Sequence, residues 1–170
     1  MARFRRVVTG HSGDTDTVVI DGPVTNVMQS GLPGLALYTV WGSDATPTVP
    51  DATGDAAADL AELFPGPGGN RFVIATYPPG AGVTPFKPPE RTSGMVSNVD
   101  IDESMMHMTD TVDYGIVVRG ELWMDLGTGE EVHLRPGDVI VQQGVMHAWR
   151  NRGTEECVIA FVIVGATRTT

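Results

Sequence analysis

Apolar residues along the chain fall into short runs broken by polar turns, and their spacing favours strands. Between residues 5 and 20, Val7-Val8-Thr9 and Thr17-Val18-Val19-Ile20 flank the polar stretch GHSGDTD. LALYTVW at 35–41 and RFVIATY at 71–77 are two further β-branched and aromatic runs. From residue 105 the rhythm becomes regular. Strands are expected up to Val118, over 121–126, 131–134, 139–143 and 147–151, and over 158–165. The turns between them carry Arg119-Gly120, GTG, RPGD and Gly144. One alanine-rich stretch, DAAADLAELF at 55–64, predicts a short helix ended by the breaker PGPGGN. Residues 78–98 carry five prolines and little periodicity, and are read as a loop lying over another part of the molecule.

Strands separated by turns every five to twelve residues define an all-β sandwich or closed barrel, with extra N-terminal strands and one short helix. The 170 residues suit one domain. Within it, 1–100 supplies strands, helix and proline-rich loop packed on a core at 101–170. Composition agrees, since 21 glycines and 12 prolines favour turns over long helices.

The net charge of -10 repels phosphate backbones and anionic lipid, so neither nucleic acid nor a membrane surface is an expected partner. A single cysteine, Cys157, excludes an intrachain disulfide and a cysteine-rich zinc site, and Cys157 has no partner in sequence to activate it. No run reaches the roughly 18 apolar residues of a membrane span, and the start lacks a signal-type apolar run; a cytoplasmic location is the expectation. No Walker loop, dinucleotide fingerprint, G-x-S-x-G elbow or HExxH helix is present.

Alternation places His107, Thr109, Thr111, Asp113, Gly115 and Val117 on one face of the strand at 106–118, a largely polar face suited to a cavity. Met106, Met108, Val112, Tyr114, Ile116 and Val118 fall on the other face, which is expected to pack in the core. By the same arithmetic His147, Trp149 and Asn151 share a face. Asp110 is expected at a turn or on the surface, and His133 in solvent.

Two spacings then stand out. The first runs His107-x-Thr109, three residues, Asp113, six residues, Gly120. The second is Pro136-Gly137-Asp138, then Gly144-x-x-His147-x-x-x-Asn151. Together they resemble the two motifs of the cupin superfamily, which are joined by a variable hairpin. Thr109 stands where the family has its second histidine, Asp113 where it has glutamate, and Gln142 where it has proline; the opening glycine position is Ile101.

The resemblance implies a cupin jelly-roll barrel and a homodimer built through the N-terminal strands. It also implies a divalent metal (iron, zinc, manganese or nickel) on His107, Asp113 and His147. Two imidazoles and one carboxylate would leave coordination positions open. Aspartate is one carbon–carbon bond, about 1.5 Å, shorter than glutamate, so either the backbone compensates or Asp113 meets the metal through water.

Against this stand other readings: a hydrogen-bonded histidine pair without metal, and Asp113 as a buried carboxylate fixing a turn. Thr109 and Thr111 are candidates for contacting substrate oxygens, and Trp149 is either pocket wall or aromatic core. The leading functional reading is metal-dependent lyase or isomerase chemistry on a small oxygenated molecule, such as dehydration or decarboxylation. Iron(II) dioxygenation at the same residues is the first alternative, and a non-catalytic ligand-binding cupin is the second.

Overall fold

The computed structural model describes residues 3–29, 34–49, 54–84 and 104–169, and these contain eleven strands and no helix. β1 (Arg5–Ser12) and β2 (Thr15–Pro23) form a hairpin closed by Gly13-Asp14, with Gly13 at φ 60° supplying the left-handed residue of the two-residue turn. The polar stretch at 10–16 therefore continues both strands almost to the turn.

A six-stranded sheet runs in the order β3-β4-β5-β11-β6-β9. It is built from β3 (Val27–Gln29), β4 (Ala36–Ser43), β5 (Asn70–Tyr77), β11 (Cys157–Gly165), β6 (Thr111–Arg119) and β9 (Val139–Gln143). The second layer is the three-stranded sheet β10-β7-β8, from β7 (Leu122–Asp125), β8 (Glu131–Leu134) and β10 (Ala148–Arg150). All pairings are antiparallel. Two layers face each other over one apolar core that includes Val73, Val117, Leu122, Met124, Leu134, Trp149, Ile159, Phe161 and Ile163. Inside it, Gly115 faces Phe161; a Cβ at that position would lie 2.7 Å from the Phe161 ring, so its absence makes room for the aromatic.

The helix expected at 55–64 does not form. Its backbone oxygens are taken by side chains from elsewhere: Asn26 Nδ2 donates to Ala57 O and Leu60 O, and Arg71 Nε donates to Glu62 O. Asp55 makes only a single turn, accepting from the Ala57 and Ala58 amides, and its carboxylate is held by Arg6. The segment then delivers Leu63 and Phe64 to the core. Of the loop expected at 78–98, residues 78–84 form turns, and the part beyond lies outside the described residues.

The faces of β6 are also assigned differently from the expectation. The odd positions Thr111, Asp113, Gly115 and Val117 are the buried ones, whereas Tyr114, Ile116 and Val118 are exposed and Val112 is half-buried. Alternation correctly grouped the residues, but the apolar group looks outward.

Residues 78–82 are stitched beside β10. Gly80 N donates to Asn151 O, Asn151 N donates to Ala81 O, and Arg150 Nη1 reaches Gly82 O. Gly82 has φ 68°, and a Cβ there would stand 2.2 Å from Trp149 O. Gly82→Ala is therefore expected to cost about 2–4 kcal/mol, read as a lowered urea midpoint, because neither the backbone angle nor the carbonyl can give way. A loss under about 0.5 kcal/mol would show that this stitch is not held as described.

Candidate functional site

His107 lies before β6 and His147 just before β10, and the two backbones meet in an isolated antiparallel bridge. His107 N donates to His147 O at 2.9 Å, and His147 N to His107 O at 3.0 Å. This exchange puts both side chains on one face, with ring centroids 4.2 Å apart at 54°. Residues forty positions apart in sequence thus form one imidazole pair. His147 is almost fully buried. Trp149 packs edge-on to it, 5.6 Å between centroids, and also touches Phe161, so this tryptophan is both wall to the histidine and part of the core.

The tautomers follow from the backbone. His107 Nδ1 is 3.0 Å from Met105 O, and His147 Nδ1 is 2.9 Å from Val145 O. A carbonyl only accepts, so each Nδ1 carries the proton and each Nε2 keeps a bare lone pair. Met105 has φ 66°, the one positive value outside glycine among the described residues, and that left-handed turn aims its carbonyl at His107.

Gln142 Nε2 also lies 3.0 Å from His147 Nδ1, which would set donor against donor, while Gln142 Oε1 is buried without a partner. Turning the amide end for end removes the donor–donor conflict, since Oε1 then accepts from Nδ1–H. Across the β6–β9 ladder Gln142 stands opposite Asp113, whose Oδ1 is likewise buried and unpartnered.

Thr109, Thr111 and Asp113 line the buried face in sequence. Thr109 Oγ1 and Thr111 Oγ1 are 2.8 Å apart, and the Thr111 hydroxyl bonds the Asp113 carboxyl group. When Asp113 is ionised it can only accept, so Thr111 donates to it and Thr109 donates to Thr111.

Burial sets the protonation states. Desolvation depresses His107, partly offset by its bond to the Met105 carbonyl. Desolvation, with the neighbouring His107 second, brings His147 down to about 4, against the opposing bond to Val145 O. Asp113 is pushed up to about 6 by desolvation, against the opposing Thr111 bond. At neutral pH both imidazoles are therefore neutral donors.

Of the sequence candidates, the structure brings His107, His147 and Trp149 into contact and links Thr109, Thr111 and Asp113 into a second group beside Gln142. Among the described residues no three His, Cys, Asp or Glu side chains converge as a metal cluster. The imidazole pair has the form of two preset donors, each anchored through Nδ1 and free at Nε2.

Other expectations resolve simply. Asp110 is exposed and paired with Arg168. Asp138 serves its turn, accepting from Arg135 N, with Gly137 at φ 91°. Asn151 ties Tyr77 O and Glu155 O together. His133, expected in solvent, is instead stacked on Trp123 at 4.0 Å and bonded to Glu121. The Cys157 thiol is pushed up to about 12, chiefly by burial, and is unreactive. Sequence reading had not placed Met105, Gln142 and Phe64 at the site; the Phe64 ring lies 6.4 Å from His107. For Gln142 a signal existed, a polar residue at a position the motif gives to proline.

Two antiparallel sheets enclosing an inward histidine pair define a double-sheet β-barrel of the jelly-roll class. Residues 100–164 match the family model described as Cupin domain, so this part of the chain carries the sequence pattern of a cupin domain. It is similar over 50 residues (52% identity) to Phomopsin biosynthesis cluster protein D of Diaporthe leptostromiformis, covering 29% of this chain and 26% of that protein. Over 54 residues (44% identity) it is similar to the cupin-domain-containing oxidoreductase srdB of Neurospora crassa, covering 32% and 28% respectively. The chain thus spans little more than a quarter of the length of these curated relatives. The Cnp3 cupin domain of Schizosaccharomyces pombe shares the fold, with TM-score 0.50, 11% identity, and coverage of 95% of this chain and 87% of that one. No helix among the described residues is long and apolar enough to cross a membrane.

Proposed function

We propose that this chain is a cupin enzyme acting on a small oxygenated organic molecule inside the barrel, with the His107–His147 pair at its centre. The observation that carries the reading is the pair itself: two buried, neutral imidazoles, each fixed through Nδ1 and bare at Nε2. Superfamily members commonly hold a divalent metal. Here His107 and His147 are the residues that would hold iron, zinc, manganese or nickel, and Asp113 does not converge with them as a third ligand among the described residues. Such a metal would act as a Lewis acid on a substrate carbonyl or hydroxyl.

The chain's own groups supply the rest. Asp113, poised near pH 6 and fed by the Thr109–Thr111 hydroxyls, exchanges a proton with substrate in a dehydration, decarboxylation or isomerisation. Trp149 closes one side of the pair and keeps water from His147. Redox chemistry at the same residues is the second reading, favoured by relatives named oxidoreductases.

Elemental analysis of the purified protein, reloaded separately with each of the four metals, tests the proposal. Close to one ion per chain is expected, with retention reduced tenfold or more in His107→Ala and in His147→Ala and largely kept in Asp113→Asn. No retention of any of the four by the native chain would overturn the metal reading. Oxygen uptake by the iron-loaded protein with oxygenated aromatic or carbonyl compounds separates the redox reading from the lyase reading.

A further inference from the structure

We propose that Asp113 and Gln142 together form a subsite for a hydroxyl group of the substrate, so that the molecule acted on is an alcohol as well as a carbonyl compound. The inference rests on the reading of the barrel as an enzyme for a small oxygenated molecule, and it narrows the substrate class to hydroxy-carbonyl compounds. Two side chains carry it. Asp113 is 6% exposed and Gln142 3%, yet each ends in a buried polar atom without a partner among the described residues. The two stand directly opposite one another in the β6–β9 ladder, both turned inward. Residues so opposed have Cβ atoms about 4.5–5.5 Å apart, so one small group can reach both.

The atoms define what fits between them. An ionised Asp113 only accepts, and with Thr111 already bonded to the carboxylate, Oδ1 still lacks a donor. Gln142 takes the His147 Nδ1–H through its amide oxygen, so the end of the amide left without a partner is the N–H2 group, which lacks an acceptor. An ammonium or a metal ion would satisfy Asp113 but meet the amide hydrogens. A carboxylate or phosphate would satisfy Gln142 but meet the aspartate charge. A hydroxyl does both: its proton goes to Asp113 Oδ1, and its oxygen accepts from Gln142.

Placement and energetics agree. The Gln142 amide lies 3.0 Å from His147, so the subsite is one side chain away from the imidazole pair. A substrate can therefore present its carbonyl to the histidines and its hydroxyl to Asp113 and Gln142. Each buried, unpaired polar atom costs about 1–3 kcal/mol, which apolar side chains of the same shape would avoid. A cost present in the empty protein and relieved on binding is the pattern of a group retained for a ligand.

Nitrogen–proton correlation spectra of the metal-free whole chain at pH 8 test the subsite, with the Gln142 side-chain amide assigned by its loss in Gln142→Met. Three matched pairs serve as probes: hydroxyacetone and acetone, acetoin and butanone, diacetone alcohol and methyl isobutyl ketone. Titration runs to about 100 mM, a range suited to ligands of so few heavy atoms. At least one hydroxyl compound is expected to shift the Gln142 amide saturably and to bind tenfold or more tightly than its partner without the hydroxyl. Its affinity should fall tenfold or more in Asp113→Asn and, followed on backbone amides, in Gln142→Met. Asp113→Asn removes an unpaired buried charge and keeps the fold, so binding lost there is not unfolding; circular dichroism controls for Gln142→Met.

Equal binding within every pair, or binding that survives both substitutions, overturns the subsite. So does the absence of a saturable shift with all three hydroxyl compounds, which leaves water as the occupant. Metal retention on His107 and His147 judges the parent reading separately. Retention without a hydroxyl preference removes the subsite alone, and a hydroxyl preference without retention removes the metal alone.

Discussion

Asp113→Asn stabilises the metal-free protein at pH 8, an unusual sign for a buried substitution. Asp113 is ionised there in both folded and unfolded chains, but the folded site leaves Oδ1 without a partner. Its displacement from 3.8 to about 6 corresponds to roughly 3 kcal/mol at about 1.4 kcal/mol per pH decade, the upper bound of what Asn recovers. A gain of about 1–3 kcal/mol in urea unfolding with a chelator present is expected.

The pH dependence follows from two opposed groups. Below pH 6 folded Asp113 takes up a proton that the unfolded chain accepts only near 3.8, so its contribution to stability grows as pH falls. His147 acts in the other direction. The unfolded imidazole protonates near 6.5 and the folded one only near 4, so stability is lost across that interval, again by roughly 3 kcal/mol. The depressed His107 adds to the loss.

In the native protein the slopes largely cancel between pH 6 and 4. In Asp113→Asn only the histidine slope remains, so the variant that is more stable at pH 8 loses its advantage steeply on acidification. A variant destabilised by more than about 1 kcal/mol at pH 8 would mean that the carboxylate is satisfied in the folded protein.

The largest loss is expected at Arg71. This guanidinium is almost completely buried. It donates to Glu62 O at 2.9 Å and to Ser43 O and Asn70 O at 2.8 Å, and it pairs with Asp44. Arg71→Met keeps much of the apolar stem but strands three carbonyls, and should cost about 3–5 kcal/mol. Lysine should not rescue, because one ammonium cannot reproduce the planar fork. Because Arg71 holds the segment that carries Leu63 and Phe64, the same variant should open residues 54–69 to limited proteolysis. A loss below 1 kcal/mol would show these bonds to be replaceable by water.

What the sequence revealed depended on how local the determining physics was. The turn chemistry of Pro136-Gly137-Asp138 and Gly144, and the strand periodicity around it, lie within a few residues, and they located β8, β9 and β10 and the position of His147. The false helix at 55–64 has good local propensity, but Asn26 and Arg71 take its carbonyls, and both lie outside the segment. Tertiary partners decided against it.

The face of β6 was misassigned for a different reason. Period-two alternation states which side chains travel together and is silent on which side is inside. Polar Thr111 and Asp113 turned inward, and bulky Tyr114 and Ile116 outward. The inward polar groups bond one another, Thr109 to Thr111 and Thr111 to Asp113, so their burial does not require an apolar face. At the site, His107 and His147 were legible from spacing, whereas the left-handed turn at Met105 and the Gln142 amide contact belong to backbone geometry that no spacing encodes.

Long-range nitrogen–proton correlation spectra of the four histidines, recorded on metal-free protein from pH 8 to 5, test the central arrangement most directly. His147 is expected to stay neutral and Nδ1-protonated with an unprotonated Nε2 throughout, and His107 to show the same tautomer at pH 8 and to take up a second proton only below the ordinary imidazole range. An Nε2–H tautomer at either residue, or titration of His147 near 6.5, would contradict it.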